Sequence, residues 1–307
     1  MSIGAHYTGA CMGMAYAAGA IRRGPALASM AILAFAGAAL ASGQVVSNVG
    51  LRIVPDRSLT VLAAAAIVGV AFVLTSAYNR VRLPTSTIQI LVFSLVGVAL
   101  GLGLPVNWTT IARLLVIWAI APPIAAALGY GFTLGLSRRP AASGSTDRGR
   151  GATAWVLVAA GLTASFAMGA NDVANAVAVF VTTHLASVLV AGIAGGIAIA
   201  VGVLTWGRPL LETVAFDIVD LDPAMATGAQ LAQGSVVLAV VVAAGTFTSM
   251  NQALVGAMAG AGLARHRSAV RWPMIRGILY GWAAGPASGL AGGLVAAELL
   301  RLLGGAG

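Results

Sequence analysis

Gly169-Ala170-Asn171-Asp172-Val173-Ala174-Asn175-Ala176 lies inside an apolar run from Ala152 to Val181, and its reading decides what the rest of the chain is. A run of that length crosses a bilayer as a helix. A carboxylate at such depth costs several kcal/mol on most scales, so an intramembrane Asp marks a functional site unless it has a partner. At helical spacing Asn171 and Asn175 share a face, and so do Asp172 and Asn175. Gly169, just ahead of them, predicts a place where the backbone bends or opens. The octapeptide therefore predicts an ion or small-solute site on a broken membrane helix. The competing use of such residues, polar glue between helices, suits Asn and Ser far better than Asp.

The composition around this stretch agrees. Only 8% of the 307 residues are charged, against about 25% for a soluble domain, and the mean hydropathy is +0.96. Apolar runs of membrane-crossing character recur at Ala26–Val46, Leu59–Tyr78, Ile88–Leu104, Thr109–Leu134, Ala152–Val181, Leu185–Leu204, Ala229–Gly245, Ser249–Leu263 and Ile275–Leu300. Some exceed one simple span and others are short enough for half-helices or hairpins, which predicts on the order of 10 crossings. The fold class expected is thus an all-α polytopic protein of the cell membrane. All 17 basic residues are Arg, set mostly in short loops such as Arg22-Arg23, Arg138-Arg139 and Arg265/Arg267/Arg271. That pattern orients a membrane protein and is no nucleic-acid footprint. A single cysteine, Cys11, excludes an internal disulfide framework.

The chain is also a duplication. Ser86 pairs with Ser249 and Gln89 with Gln252, both 163 residues apart; Trp108 pairs with Trp272, Trp118 with Trp282 and Pro122 with Pro286, all 164 apart. Four of the six Trp fall into these pairs, which chance explains poorly. The polar, Arg-rich stretch 137–151 divides the halves, giving a first membrane repeat 1–136, a linker 137–151 and a second repeat 152–307. Internal duplication is typical of secondary transporters, whose sites lie at the repeat interface. Enzyme readings find nothing to stand on: there is no His-Glu-x-x-His, no Gly-x-Ser-x-Gly elbow and no P-loop.

The octapeptide resembles the signature of the inorganic phosphate transporter (PiT) family, the phosphate and sulfate permeases, and the resemblance extends over nearly the whole chain. It implies inverted repeats, alternating access, a tetrahedral oxyanion as substrate and Na⁺ or H⁺ as coupling ion, with no other cofactor. Family members normally carry the motif in both halves. Here the first copy reads Gly4-Ala5-His6-Tyr7-Thr8-Gly9-Ala10-Cys11: Asn171 is matched by His6, Asp172 by Tyr7 and Asn175 by Ala10. That degenerate copy resembles the sulfate-permease branch, while the intact one resembles the phosphate branch. The second family motif, near Pro-x-Ser-Thr-Thr-His, stands as Pro84-Thr85-Ser86-Thr87-Ile88-Gln89 and, more loosely, as Phe247-Thr248-Ser249-Met250-Asn251-Gln252. Hydroxyls at a helix start bind oxyanions, and they also serve as N-caps.

The resemblance thus implies a site made of Asn171, Asp172 and Asn175 on one side and Ser86, Thr87, Ser249 and Asn251 on the other, with His6 and Thr8 from the degenerate copy beside it. Asp172 is the residue expected to hold Na⁺ if Na⁺ is the coupling ion. The expected partners are inorganic phosphate or sulfate and membrane lipid, with a homodimer as one arrangement. The family has further hydrophobic residues upstream of its first motif, so the natural start is expected to lie ahead of Met1. Trp118 and Trp282, each four residues before a Pro, are expected to mark kinked helices. In the acidic run Glu212, Asp217, Asp220 and Asp222, the three Asp are expected at the surface, as are His184 and His266.

Overall fold

The computed structural model describes residues 2–46, 51–54, 59–80, 85–137, 148–214 and 222–304. The linker residues 138–147, Pro84, Asp217 and Asp220 fall outside them. Among the described residues the regular structure is helical, as expected of a chain that must satisfy its own backbone in lipid.

The elements follow the duplication. The first half opens with α1 (Ser2–His6), a π-helical turn (Gly9–Gly13) and α2 (Met14–Ala17). Then come α3 (Arg23–Val45), the short α4 (Leu51–Ile53), α5 (Val61–Arg80), α6 (Thr87–Leu102) and α7 (Trp108–Ser137). The second half has α8 (Arg148–Thr182), α9 (Val188–Val214), α10 (Pro223–Ala243), α11 (Met250–Leu263) and α12 (Trp272–Leu302). Seven of these are long and apolar enough to cross a membrane, while α6 and α11 are shorter. The sequence-based figure of about 10 crossings is higher because it counts apolar runs without separating full helices from half-length ones. Trp118 and Trp282 lie in α7 and α12, each of which continues through its Pro.

The two halves do not sit side by side; they interlock. The half-length helix of each repeat packs on the last long helix of the other: α6 on α12, and α11 on α7. Both contacts need glycine at matching places. A methyl group on Gly97 would collide with the Leu290 carbonyl oxygen, and one on Gly260 with that of Ala126. Gly97 and Gly260 are 163 apart in sequence, so one close approach is built twice. Without a hydrophobic drive between helices in lipid, such small-residue contacts supply the packing.

The signature glycine makes a second such pair. A methyl group on Gly169 would strike the Ala34 carbonyl of α3, and one on Gly4 the Ile199 carbonyl of α9. This corrects the expectation that Gly169 breaks its helix: α8 runs through the octapeptide, and the glycine is there to let another helix's backbone approach. The opening in the backbone lies in the degenerate copy, whose Gly9–Gly13 turn is π-helical.

Burial separates centre from rim. The apolar windows of α8 and α10 are 56% and 67% buried, whereas those of α5 and α12 are 22% and 28% buried. Lipid-facing positions such as Leu40, Phe72 and Val73 are open. His184 and His266 are exposed, as expected. Asp222 is more than a surface charge: it caps α10, accepting from the Ala224 and Met225 N–H groups, and pairs with Arg265 at 2.6 Å.

Candidate functional site

The polar residues that the composition can least afford gather in one place. Asn171 and Asp172 are 0% and 1% exposed, and Asn175, Ser86, Thr87, Ser249 and Tyr7 are also buried. They reach one another through the short segments that lead into α6 and α11.

Asn171 joins α8 to the segment before α11. Its Nδ2 donates to the Thr248 carbonyl (2.9 Å), and the Thr248 N–H donates to its Oδ1 (3.0 Å). One carboxamide thus satisfies both backbone polar groups of Thr248, a buried residue outside any helix or sheet. The same Nδ2 lies 3.3 Å from Asp172 Oδ2. Asn175 Nδ2 donates to the Asn171 carbonyl, four residues back on the same face.

The degenerate copy performs the matching join with different groups. Tyr7, in the place of Asp172, meets the Thr87 hydroxyl at 2.8 Å and lies within interaction range of the Asp172 carboxyl group. His6, in the place of Asn171, does not bond Thr85 directly. Asn251 of the other repeat stands between them: its Nδ2, which can only donate, is 2.8 Å from His6 Nε2 and 3.1 Å from the Thr85 carbonyl. Asn251 begins α11 and Thr85 leads into α6, so this bridge ties the starts of the two half-length helices together.

Each of those starts is capped. Ser86 Oγ accepts from the Gln89 N–H at 3.3 Å, and Ser249 Oγ from the Gln252 N–H at 3.4 Å. The hydroxyl oxygen of each Ser is therefore committed to its helix, while its proton is free to donate. Thr8 stands apart from the group. Its hydroxyl donates back to the Gly4 and Ala5 carbonyls and faces Gly207 of α9.

Among the described residues several buried side-chain oxygens on these segments have no hydrogen-bond partner: Asp172 Oδ1, Asn175 Oδ1, Thr246 Oγ1, Thr248 Oγ1, Gln89 Oε1 and Gln252 Oε1. Orphaned buried polar atoms are rare enough that each asks for an explanation. Asp172 Oδ1 is the one carboxylate oxygen among them, and a carboxylate with neutral oxygens such as Asn175 Oδ1 and Thr248 Oγ1 is the ligand type a hard cation takes. Among the described residues no group of three or more His, Cys, Asp and Glu is present.

The sequence reading missed Thr248, whose contribution is a backbone unit, and the pair Gln230 and Gln233. Both glutamines are fully buried in α10; Gln230 Nε2 donates to Gln233 Oε1 (2.8 Å) and to the Ala10 carbonyl in the π-helical turn (3.1 Å). Two glutamines three apart in an apolar run were the available signal.

The sequence model of the Phosphate transporter family matches residues 3–143 and again 137–292. Sulfate permease CysP of Bacillus subtilis is 32% identical over 217 residues, covering 69% of this chain and 60% of that protein. A putative phosphate permease of Haemophilus influenzae is 39% identical over 132 residues, covering 38% of this chain and 31% of that protein. The chain therefore spans less than two thirds of these two relatives. Putative phosphate permease MJ0630 of Methanocaldococcus jannaschii is 26% identical over 285 residues, covering 92% of this chain and 88% of that protein. Among solved structures, one described as the sodium-dependent phosphate transporter superposes with a TM-score of 0.85 over 98% of this chain and 96% of that one, at 20% identity. That likeness establishes the fold.

Proposed function

The chain belongs to the phosphate transporter family, and from that premise we propose that it is a secondary active transporter of a small tetrahedral oxyanion, inorganic phosphate before sulfate. Transport is coupled to Na⁺ or H⁺ and proceeds by alternating access of two inverted repeats, with the boundary between them in residues 137–151. The observation that carries this reading is the meeting of two Ser-capped helix starts from different repeats beside a buried carboxylate. Helix N-termini offer N–H groups and the positive end of the dipole to an anion.

In this reading Ser86, Thr87 and Ser249 donate to the anion, and Asn251 holds the two helix starts together. Asp172 holds the coupling cation, with Asn175 Oδ1 and Thr248 Oγ1 as further oxygen ligands. Asn171 is a positioning residue that fixes the Thr248 segment. Moving a divalent anion inward against 100 mV costs about 4.6 kcal/mol, twice the value for one charge. Two cations per anion cancel that cost.

Sulfate is the second reading. It is favoured by the degenerate first signature and by the sulfate permease among the relatives.

The test is uptake of labelled phosphate and labelled sulfate into proteoliposomes, with and without an imposed Na⁺ or proton gradient. Gradient-driven phosphate uptake is expected, with sulfate a weaker competitor. Equal fluxes with and without every gradient would make the protein a passive anion channel. Preferential sulfate uptake would place it functionally with the sulfate permeases.

A further inference from the structure

Ser86-Thr87-Ile88-Gln89 and Ser249-Met250-Asn251-Gln252 both have the spacing of a capping box. In a complete box the Ser oxygen accepts from the N–H three residues on, and the Gln side chain returns to the Ser N–H. Here the first half of each box is present and the second is missing. Ser86 and Ser249 accept from Gln89 and Gln252, but neither Gln Oε1 makes a hydrogen bond. Gln89 is 5% exposed and Gln252 3%, so water does not replace the missing bond freely. The same omission occurs at the matching position of both repeats, 163 residues apart, so the two members of the duplication share it.

At this spacing the Gln side chain is within reach of the helix start, so an open box leaves two kinds of group available there. The helix start and the Ser proton donate, and the Gln oxygen accepts. A fully deprotonated oxyanion satisfies only the donors and sets its own lone pairs against the Gln oxygen. An oxyanion that still carries an O–H satisfies both. At neutral pH hydrogen phosphate and dihydrogen phosphate carry such a proton, and sulfate does not.

We propose that Gln89 and Gln252 are specificity-determining residues whose side-chain oxygens accept the O–H of a protonated tetrahedral oxyanion, so that the two open capping boxes select hydrogen phosphate against sulfate. This inference rests on the oxyanion-transport reading above. A site built to bond a hydroxyl strongly rejects the analogue that lacks it, because its buried acceptor is then left unpaired.

The probe is fluorophosphate, which has nearly the shape and charge of hydrogen phosphate with fluorine in place of the hydroxyl. Competition of unlabelled phosphate, fluorophosphate and sulfate against labelled phosphate is measured in proteoliposomes for the wild type and for Gln89→Met, Gln252→Met and the double variant. The wild type is expected to prefer phosphate over both competitors by at least about tenfold. In each variant that preference falls toward unity, mainly through weaker phosphate binding, while sulfate binding is kept. The matching position in the other repeat provides a second variant should one fail to insert. Unchanged selectivity in the variants overturns the proposal, as does equal loss of all three anions, which would mark a structural role. A wild type that prefers sulfate instead removes the phosphate reading beneath it, a result separable from the first two because it appears before any substitution.

Discussion

The two signature copies have the same place in the fold and hold it by different means. In the second, α8 is unbroken, Asn171 binds both backbone polar groups of Thr248, and Asp172 keeps one oxygen unpaired among the described residues. In the first, the helix opens into a π-helical turn, Tyr7 bonds Thr87, and His6 is linked to Thr85 through Asn251. The difference shows which part of the motif is architectural. The glycine contact survives in both copies, at Gly4 and Gly169, because it sets how closely two helices approach. The carboxylate survives in one, because a neutral hydroxyl pair can fill the same space without a counter-ion. In place of a carboxylate, the first copy has a phenol.

The comparison breaks most directly at Asp172. Asp172→Asn is expected to lower gradient-driven uptake at least about a hundredfold, equivalent to about 2.8 kcal/mol of cation binding, with the protein still folded in the membrane. Uptake in proteoliposomes, together with size-exclusion behaviour in detergent, checks both halves of the statement. Undiminished uptake would remove Asp172 from the coupling site.

The two joins should differ in strength. Asn171→Ala strands a buried N–H and a buried carbonyl of Thr248 and is expected to cost about 2–4 kcal/mol of stability. His6→Ala removes one acceptor from Asn251, which keeps its bond to Thr85, and is expected to cost about 1 kcal/mol. Unfolding in detergent compares the pair; equal losses would mean that the joins carry the same load despite their different chemistry.

Tyr7 sharpens the contrast. Tyr7→Asp restores a second buried carboxylate, which is tolerable only when a cation accompanies it. The expected result is a larger number of cations per anion, read from reversal potentials; an identical ratio would show that position 7 plays no part in coupling. Tyr7→Phe keeps the ring and loses only the bond to Thr87. It is the mildest of these changes, about 1 kcal/mol in stability with stoichiometry unchanged.

Much of this was legible in the chain alone. The apolar runs fixed the class, because lipid leaves the backbone few alternatives to a helix. The 163- and 164-residue spacings exposed the duplication, and Asp172 announced itself as a charge in an apolar run. The second motif placed Ser86 and Ser249 at helix starts, and both are caps.

What the chain could not reveal were relations between distant segments. Gly169 read as a hinge because a glycine's use depends on what faces it, and only the packed structure brings the Ala34 carbonyl there. Thr248 was invisible because its backbone N–H and carbonyl, not its side chain, are what Asn171 holds. That the Ser-x-x-Gln boxes stay open could not be read either, since spacing makes a bond available and cannot say that it goes unmade. Periodicity and composition are local or summed properties, and one sequence carries them in full. Which carbonyl meets which glycine, and which oxygen is left without a donor, depends on how the two repeats interlock in three dimensions.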